Sequence, residues 1–193
     1  LNAWEHGVPQ KRERLITIGI RNDLGDKTSY TFPKAHEYKP VLRDVLLDCP
    51  EGPGVPYGEK KKKIFELVPA GGYWRDIDPE IAKEYMKSCW DMEGGRTGIL
   101  RRMSLDEPSL TILTSPSQKQ TERCHPLEAR PFTVRENARC QTFPDEWTFC
   151  GNVSAQYKQV GNAVPVNLAY DIAKEIVNSL DTLNDNQKIK EAI

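Results

Sequence analysis

The chain of 193 residues is 38% hydrophobic, and its 27 lysines and arginines balance 28 acids to a net charge of −1. This excludes a globally basic nucleic-acid binder, so any attraction to a polyanion must come from local patches. A membrane-spanning helix is excluded too, since no apolar run approaches the needed length and mean hydropathy is −0.63.

That size supports one domain or two small ones with a modest core. Five cysteines, an odd number without Cys-x-x-Cys spacing, point to a reducing compartment rather than a disulfide scaffold. The chain opens on Leu1 without a signal peptide, and a piece of a larger cytoplasmic protein with no membrane partner is expected.

In chain order, residues 4–14 read as a loop rich in hydrogen-bonding side chains. Residues 15–21 predict a strand with Ile16, Ile18 and Ile20 on one face, turned by Asp23-Leu24-Gly25. A polar, irregular stretch over 25–39 precedes a short helix over 40–47, with Val41, Leu42, Val45 and Leu46 inward. Gly52-Pro53-Gly54 has no strand before it and no helix behind it at nucleotide-loop spacing, so it reads as a turn. Four lysines at 60–63 open a helix to about Val68 and read as a solvated face.

Between residues 71 and 115, short predicted strands are punctuated by Gly71-Gly72, Gly94-Gly95, Arg96, Arg101, Arg102, Thr111 and Ser115. Glycine permits close backbone approach to a duplex, arginine can bond guanine bidentately, and hydroxyls reach phosphates. An irregular small-sheet domain with arginines on its rim would have the same composition. From Arg96 to Arg139 eight basic residues, Lys119 among them, outnumber five acidic ones.

Thr133-Val134-Arg135-Glu136 has capping-box spacing and starts a helix through Gln141, which Phe143-Pro144-Asp145 stops. A second helix, about 153–160, is expected to end on Gly161 as a left-handed cap, with Asn162 capping the next. The last helix, about 163–180, carries Leu168, Ala169, Ile172, Ala173, Ile176, Val177 and Leu180 as an apolar stripe that needs a partner surface. Residues 181–193 read as a frayed polar tail. Cys124-His125 lacks a second pair at zinc spacing, so no metal is expected, and His6 and His36 have no nucleophile to serve.

Arg130-Pro-Phe-Thr-Val-Arg-Glu-Asn-Ala-Arg-Cys-Gln-Thr-Phe-Pro-Asp145 and Tyr157-Lys-Gln-Val-Gly-Asn-Ala-Val-Pro165 resemble the last two motifs of bacterial DNA cytosine-5 methyltransferases. Gly7-Val-Pro-Gln-Lys-Arg-Glu-Arg14 is similar to the motif that precedes that family's target-recognition domain, so the resemblance runs to about Leu180. It implies an α/β fold with α+β character: a small irregular target-recognition domain plus C-terminal strand and helix elements of a Rossmann-like methyltransferase domain. The implied division is 1–24 end of the catalytic domain, 25–129 target recognition, 130–180 scaffold helices returning to the catalytic domain, and 181–193 tail.

The resemblance also implies roles. Gln10 and Arg12 match positions that orient the active-site loop, and Arg14 matches the arginine that bonds the flipped cytosine. Asn162, Ala163 and Val164 match the turn against the methionine end of S-adenosylmethionine. Arg130, Arg135, Glu136 and Arg139 match a charged scaffold. Arg96, Arg101, Arg102, Thr111, Ser115 and Lys119 are the candidate contacts to double-stranded DNA, and Thr111-Ile112 resembles a step in the family's recognition domain. The family's Pro-Cys nucleophile, Glu-Asn-Val glutamate and Gly-rich cofactor turn are not in this sequence. Cys140 follows Arg rather than Pro and reads as packing. A restriction–modification enzyme in the bacterial cytoplasm is implied, with an N-terminal catalytic half as partner and this chain inactive alone. The alternative is a non-catalytic nucleic-acid-binding module or an RNA-acting relative.

Overall fold

The computed structural model describes residues 1–24, 29–94, 96–116 and 118–191, and the side chains of all these except Lys119 and residues 183–191. The fold is mixed α/β. Its two-stranded parallel sheet pairs β1 (Gln10–Lys11) with β2 (Ser109–Leu110), in register Gln10 with Ser109 and Lys11 with Leu110. The helices are α1 (Arg43–Leu46), α2 (Glu59–Leu67), α3 (Pro79–Met86), α4 (Val134–Cys140), α5 (Val153–Asn162) and α6 (Val166–Glu191). A 3-10 turn, Ala3–His6, leads into β1.

Local rules explain the helix starts. At α4 the Thr133 Oγ1 accepts from the Glu136 N–H at 3.2 Å, while Glu136 Oε2 accepts from the Thr133 N–H at 2.7 Å, so two orphan donors are satisfied reciprocally. Asp78 caps α3, with Pro79 in its first turn, and Asn152 caps α5. Thr142, at φ +58°, turns the chain beyond α4 ahead of Phe143.

Three apolar clusters hold these elements. The first joins α1, α4 and α5 through Leu42, Leu46, Ile112, Phe132, Val134, Ala138, Tyr157 and Val160. The second lies within residues 57–124 and stacks Tyr57 on Phe65 at 4.8 Å, with Trp74, Met86, Ile99 and Leu100 around them. The third seats Leu168 of α6 on Ala3 and Val8.

Several expectations are corrected, the first being the loop over 4–14, which contains most of the Ala3–His6 turn and β1 because Gln10 and Lys11 pair with Ser109 and Leu110. Residues 15–21 are not a strand, because a strand needs an adjacent strand and no described residue supplies one. Leu15 is 94% exposed, and Ile18 and Ile20 line an apolar groove with Leu24, Tyr30, Ile176 and Leu180. Gly25, the last residue of the expected turn, lies outside the described residues. The short strands expected over 71–115 reduce, among the described residues, to β2, the rest being helices, 3-10 turns and loop. Gly161 is inside α5 with no positive φ, and Asn162 ends α5 rather than capping α6. The expected tail is helical to Glu191.

Candidate functional site

Gln10 is completely buried although its strand is only two residues long. Its Oε1 accepts from the Ile112 N–H at 2.8 Å, and its Nε2 donates to Gln141 Oε1 at 3.0 Å. Gln141 Nε2 in turn donates to the Val160 carbonyl at 2.6 Å, so two side-chain amides connect β1, the chain after β2, the end of α4 and α5. The orientation of each amide follows from this network, since each nitrogen faces an acceptor.

Arg12 extends the web. Its Nη1 donates to the Ile112 carbonyl at 3.2 Å, and its Nη2 to the carbonyls of Gly161 at 3.0 Å and Ala163 at 3.2 Å. Burial, with the nearby Arg14 charge, lowers its pKa to about 10, well above neutrality, so the guanidinium stays charged. A planar fork can reach three carbonyls from one position, which an ammonium cannot. Gly161 is required here for space: a Cβ on it would lie 2.6 Å from the Leu113 carbonyl carbon and oxygen. The Thr111 hydroxyl donates to the Lys11 carbonyl at 2.9 Å and closes the same crossing.

Arg14 differs. Its backbone is pinned, with its N–H on the Leu1 carbonyl at 2.9 Å. Its side chain is exposed, with Nη1 on the Glu13 carbonyl at 2.6 Å. Asn162 and Val164 are exposed on the turn whose Ala163 carbonyl Arg12 holds, and Val164 leaves 53% of its surface uncovered. A rigid framework thus carries one exposed guanidinium and one exposed turn with an amide and an apolar side chain. For a zwitterionic, part-apolar ligand such as S-adenosylmethionine, that turn fits one edge of a site.

The candidate DNA contacts are divided by the structure. Arg102 Nη1 donates to Val68 and Phe65 carbonyls at 3.0 and 3.3 Å and its Nε to Pro126 at 3.1 Å. Arg96 donates to the carbonyls of Cys89 and Trp90 and lies over the Trp74 ring at 5.2 Å. Both guanidinium groups tie loops of their own region together. Arg101 lies 3.9 Å from Glu107 and 5.8 Å from the Tyr73 ring. Ser115 lines a small cavity with Thr121, Arg123 and Asn137. The Lys119 side chain lies outside the described residues.

Gln141 and Glu122, both buried, and Arg123, half-buried, are polar residues that no sequence motif marks as functional. Burial and the Arg101 charge lower the Arg123 pKa to about 10. Glu122, fully buried, accepts from the Leu100 N–H, the Tyr85 hydroxyl and Lys61, each at 2.6 Å. Of the residues expected as a charged scaffold, Arg135 donates to the Pro144 and Trp147 carbonyls at 3.2 and 2.8 Å, while the other three form ion pairs. Glu136 receives Arg130 at 2.8 Å on both oxygens, and Arg139 pairs with Asp145 and Asp48. Cys140 is fully buried in the core, where burial raises its thiol pKa. His125 Nδ1 accepts from the Leu127 and Glu128 N–H groups at 3.2 Å.

A model of the C-5 cytosine-specific DNA methylase family matches residues 1–178. The type II methyltransferase M.Sau96I of Staphylococcus aureus is 56% identical over 186 residues, covering 95% of this chain and 43% of that protein. M.Eco47II of Escherichia coli, also a type II methyltransferase, is 52% identical over 191 residues, covering 95% of this chain and 46% of its own length. The chain therefore spans a little under half the length of these relatives. A solved structure described as a prophage-encoded DNA modification methyltransferase of E. coli superposes with a TM-score of 0.61 at 22% identity, over 94% of this chain and 59% of that one.

Proposed function

Because the chain belongs to the C-5 cytosine-specific DNA methylase family, whose members use S-adenosylmethionine, we propose that it forms the DNA-recognising and site-closing part of a type II DNA cytosine-5 methyltransferase. Residues 25–129 read the target sequence, residues 1–24 and 130–180 complete the catalytic domain, and the enzyme moves a methyl group from S-adenosylmethionine to cytosine C5. The observation that carries this reading is the Arg12 bridge, which holds the segment leading to Arg14 and the Gly161–Ala163 turn in one frame. In the proposed site, Arg14 donates to the polar edge of a cytosine flipped out of the duplex, from a backbone position that the Leu1 carbonyl holds. S-Adenosylmethionine supplies the methyl group when bound. Asn162 and Val164 form one wall of its pocket, against the methionine end.

The remainder of the catalytic domain is the proposed partner of α6. Tyr170, Val177 and Leu180 are 67%, 53% and 48% exposed, and beside them runs the groove that contains Ile18 and Ile20. Residues 15–21 would become a strand once a neighbouring strand of that domain is present. Arg101, Ser115 and Lys119 are the proposed contacts to double-stranded DNA, whereas Arg96, Arg102 and Thr111 shape the loops that present them. No described helix is long and apolar enough to cross a membrane.

The test is methyl transfer by the full-length protein that contains this chain. Incubated with labelled S-adenosylmethionine and double-stranded DNA, it should yield 5-methylcytosine at one fixed sequence. Label in adenine, in RNA only, or in no product would overturn the reading.

A further inference from the structure

Three segments far apart in sequence converge on one carboxylate oxygen. His6 Nδ1 lies 2.9 Å and His36 Nε2 lies 2.8 Å from Asp171 Oδ2, and these potential ligand atoms all lie within 4.8 Å of one another. His6 ends the 3-10 turn before β1, Asp171 belongs to α6, and His36 follows an irregular stretch. Each is anchored independently of the cluster. The His36 N–H donates to the Glu5 carbonyl at 2.8 Å, and Asn167 of α6 donates to the Gly7 carbonyl at 2.9 Å. Leu168 and Ile172 pack on the Ala3–Val8 segment. Gly7, at φ +68°, lets the His36 ring lie close, since a Cβ there would meet His36 Nδ1 at 3.2 Å. The His6 and Asp171 side chains are 1% and 13% exposed, while His36 is 44% exposed and forms the open side.

We propose that His6, His36 and Asp171 bind one divalent transition-metal ion, zinc on the basis of the donor set, which clamps the segment before β1 to α6. Two imidazole nitrogens and one carboxylate oxygen suit zinc and disfavour magnesium and calcium, which take oxygen ligands. Binding exchanges the two hydrogen bonds to Asp171 Oδ2 for three coordinate bonds of about 2.0–2.2 Å. Each neutral ring keeps its proton on the nitrogen that faces away from the metal. The fourth position opens onto a cleft of about 350 Å³ lined by Lys34, Lys174 and Glu175 beside His36 and Asp171. There a water completes a tetrahedron. Two lysines oppose two carboxylates in that cleft, so affinity comes from the ligands rather than from the surrounding field. The clamp lies outside the proposed catalytic and DNA-contacting residues and bears on folding.

The experiment is calorimetric titration of chelator-treated protein with zinc chloride alone, with cobalt chloride as a visible probe of geometry and magnesium chloride as control. One zinc per cluster, tetrahedral cobalt absorption, no magnesium heat and a zinc-dependent rise in Tm are expected. His36→Ala, at the exposed ligand, and Asp171→Asn should each keep the wild-type circular dichroism and lose roughly tenfold or more in zinc affinity. No zinc binding by the wild type, or affinity unchanged in either folded variant, would overturn the assignment.

Discussion

Around β1 and α5 the chain is held by polar side chains that reach across a hundred residues, whereas residues 57–124 close on an apolar core of their own. In the first region Gln10 and Gln141 bond each other, and with Arg12 they bond backbone groups at Ile112 and along Val160–Gly161. In the second, Tyr57, Phe65, Trp74 and Met86 supply the burial, and Glu122 and Arg102 tie loops to it. The difference teaches that a residue type suited to chemistry does not by itself mark a reacting group. Arg12 and Arg14 are two residues apart, yet one is a buried strut and the other an exposed donor. The polar frame gives position at the cost of desolvating a charge, which is tolerable only because every carbonyl it meets is fixed.

That contrast can be broken most severely at Arg12. Arg12→Ala removes the donors of three carbonyls, two of them in buried bonds, and should cost about 3–5 kcal/mol in urea denaturation, with Arg12→Lys recovering only part. A loss below 1 kcal/mol would mean the frame is not held there. The corresponding test of the second region is Glu122→Gln. Both Glu122 oxygens face donors, so an amide sets an NH2 group against Leu100 N–H or against Tyr85 and Lys61. About 2–3 kcal/mol should be lost, with hydrogen exchange rising over 57–124 and not around β1.

Much of the frame was legible because its rules are local. The Thr133/Glu136 capping box and the lysine-led helix depend on neighbours within four residues, while the motifs around β1 and α5 were legible as a family resemblance. What escaped depends on partners far away. Alternating isoleucines at 16–20 signal a strand, but pairing needs a second strand. Gly161 resembled a cap, although its bare α-carbon is needed where Leu113 crosses α5. Arg102 resembled a base reader, and only the folded chain brings Val68 and Pro126 under it. His6 and His36 looked unemployed because Asp171 lies 135 and more residues away.

A milder effect is expected from pH. Burial holds the His125 pKa below its usual value, and its Nδ1 accepts two backbone N–H groups. The unfolded chain then binds the proton more readily, so this contribution is complete above about pH 6.5 and is lost as pH falls below it. Melting curves between pH 7.5 and about 5 should show a falling Tm. His125→Asn, whose side-chain oxygen can accept the same bonds, should flatten that slope; an unchanged slope would assign it elsewhere.

The smallest effect belongs to Arg101. Arg101→Ala should leave stability nearly unchanged and reduce the log–log salt slope of DNA binding by about 1 if it contacts a phosphate. Affinity unchanged at every salt concentration would remove it from the interface.

The separation of strut from donor is tested most directly at Arg14, in single-turnover methylation by the full-length enzyme with Tm and DNA affinity measured on the same samples. Arg14→Ala should keep the wild-type Tm and duplex affinity while the methylation rate falls by about 10²–10³-fold, the scale of losing one hydrogen-bond donor to the transition state. A normal rate, or a loss of stability comparable to that of Arg12→Ala, would contradict the account.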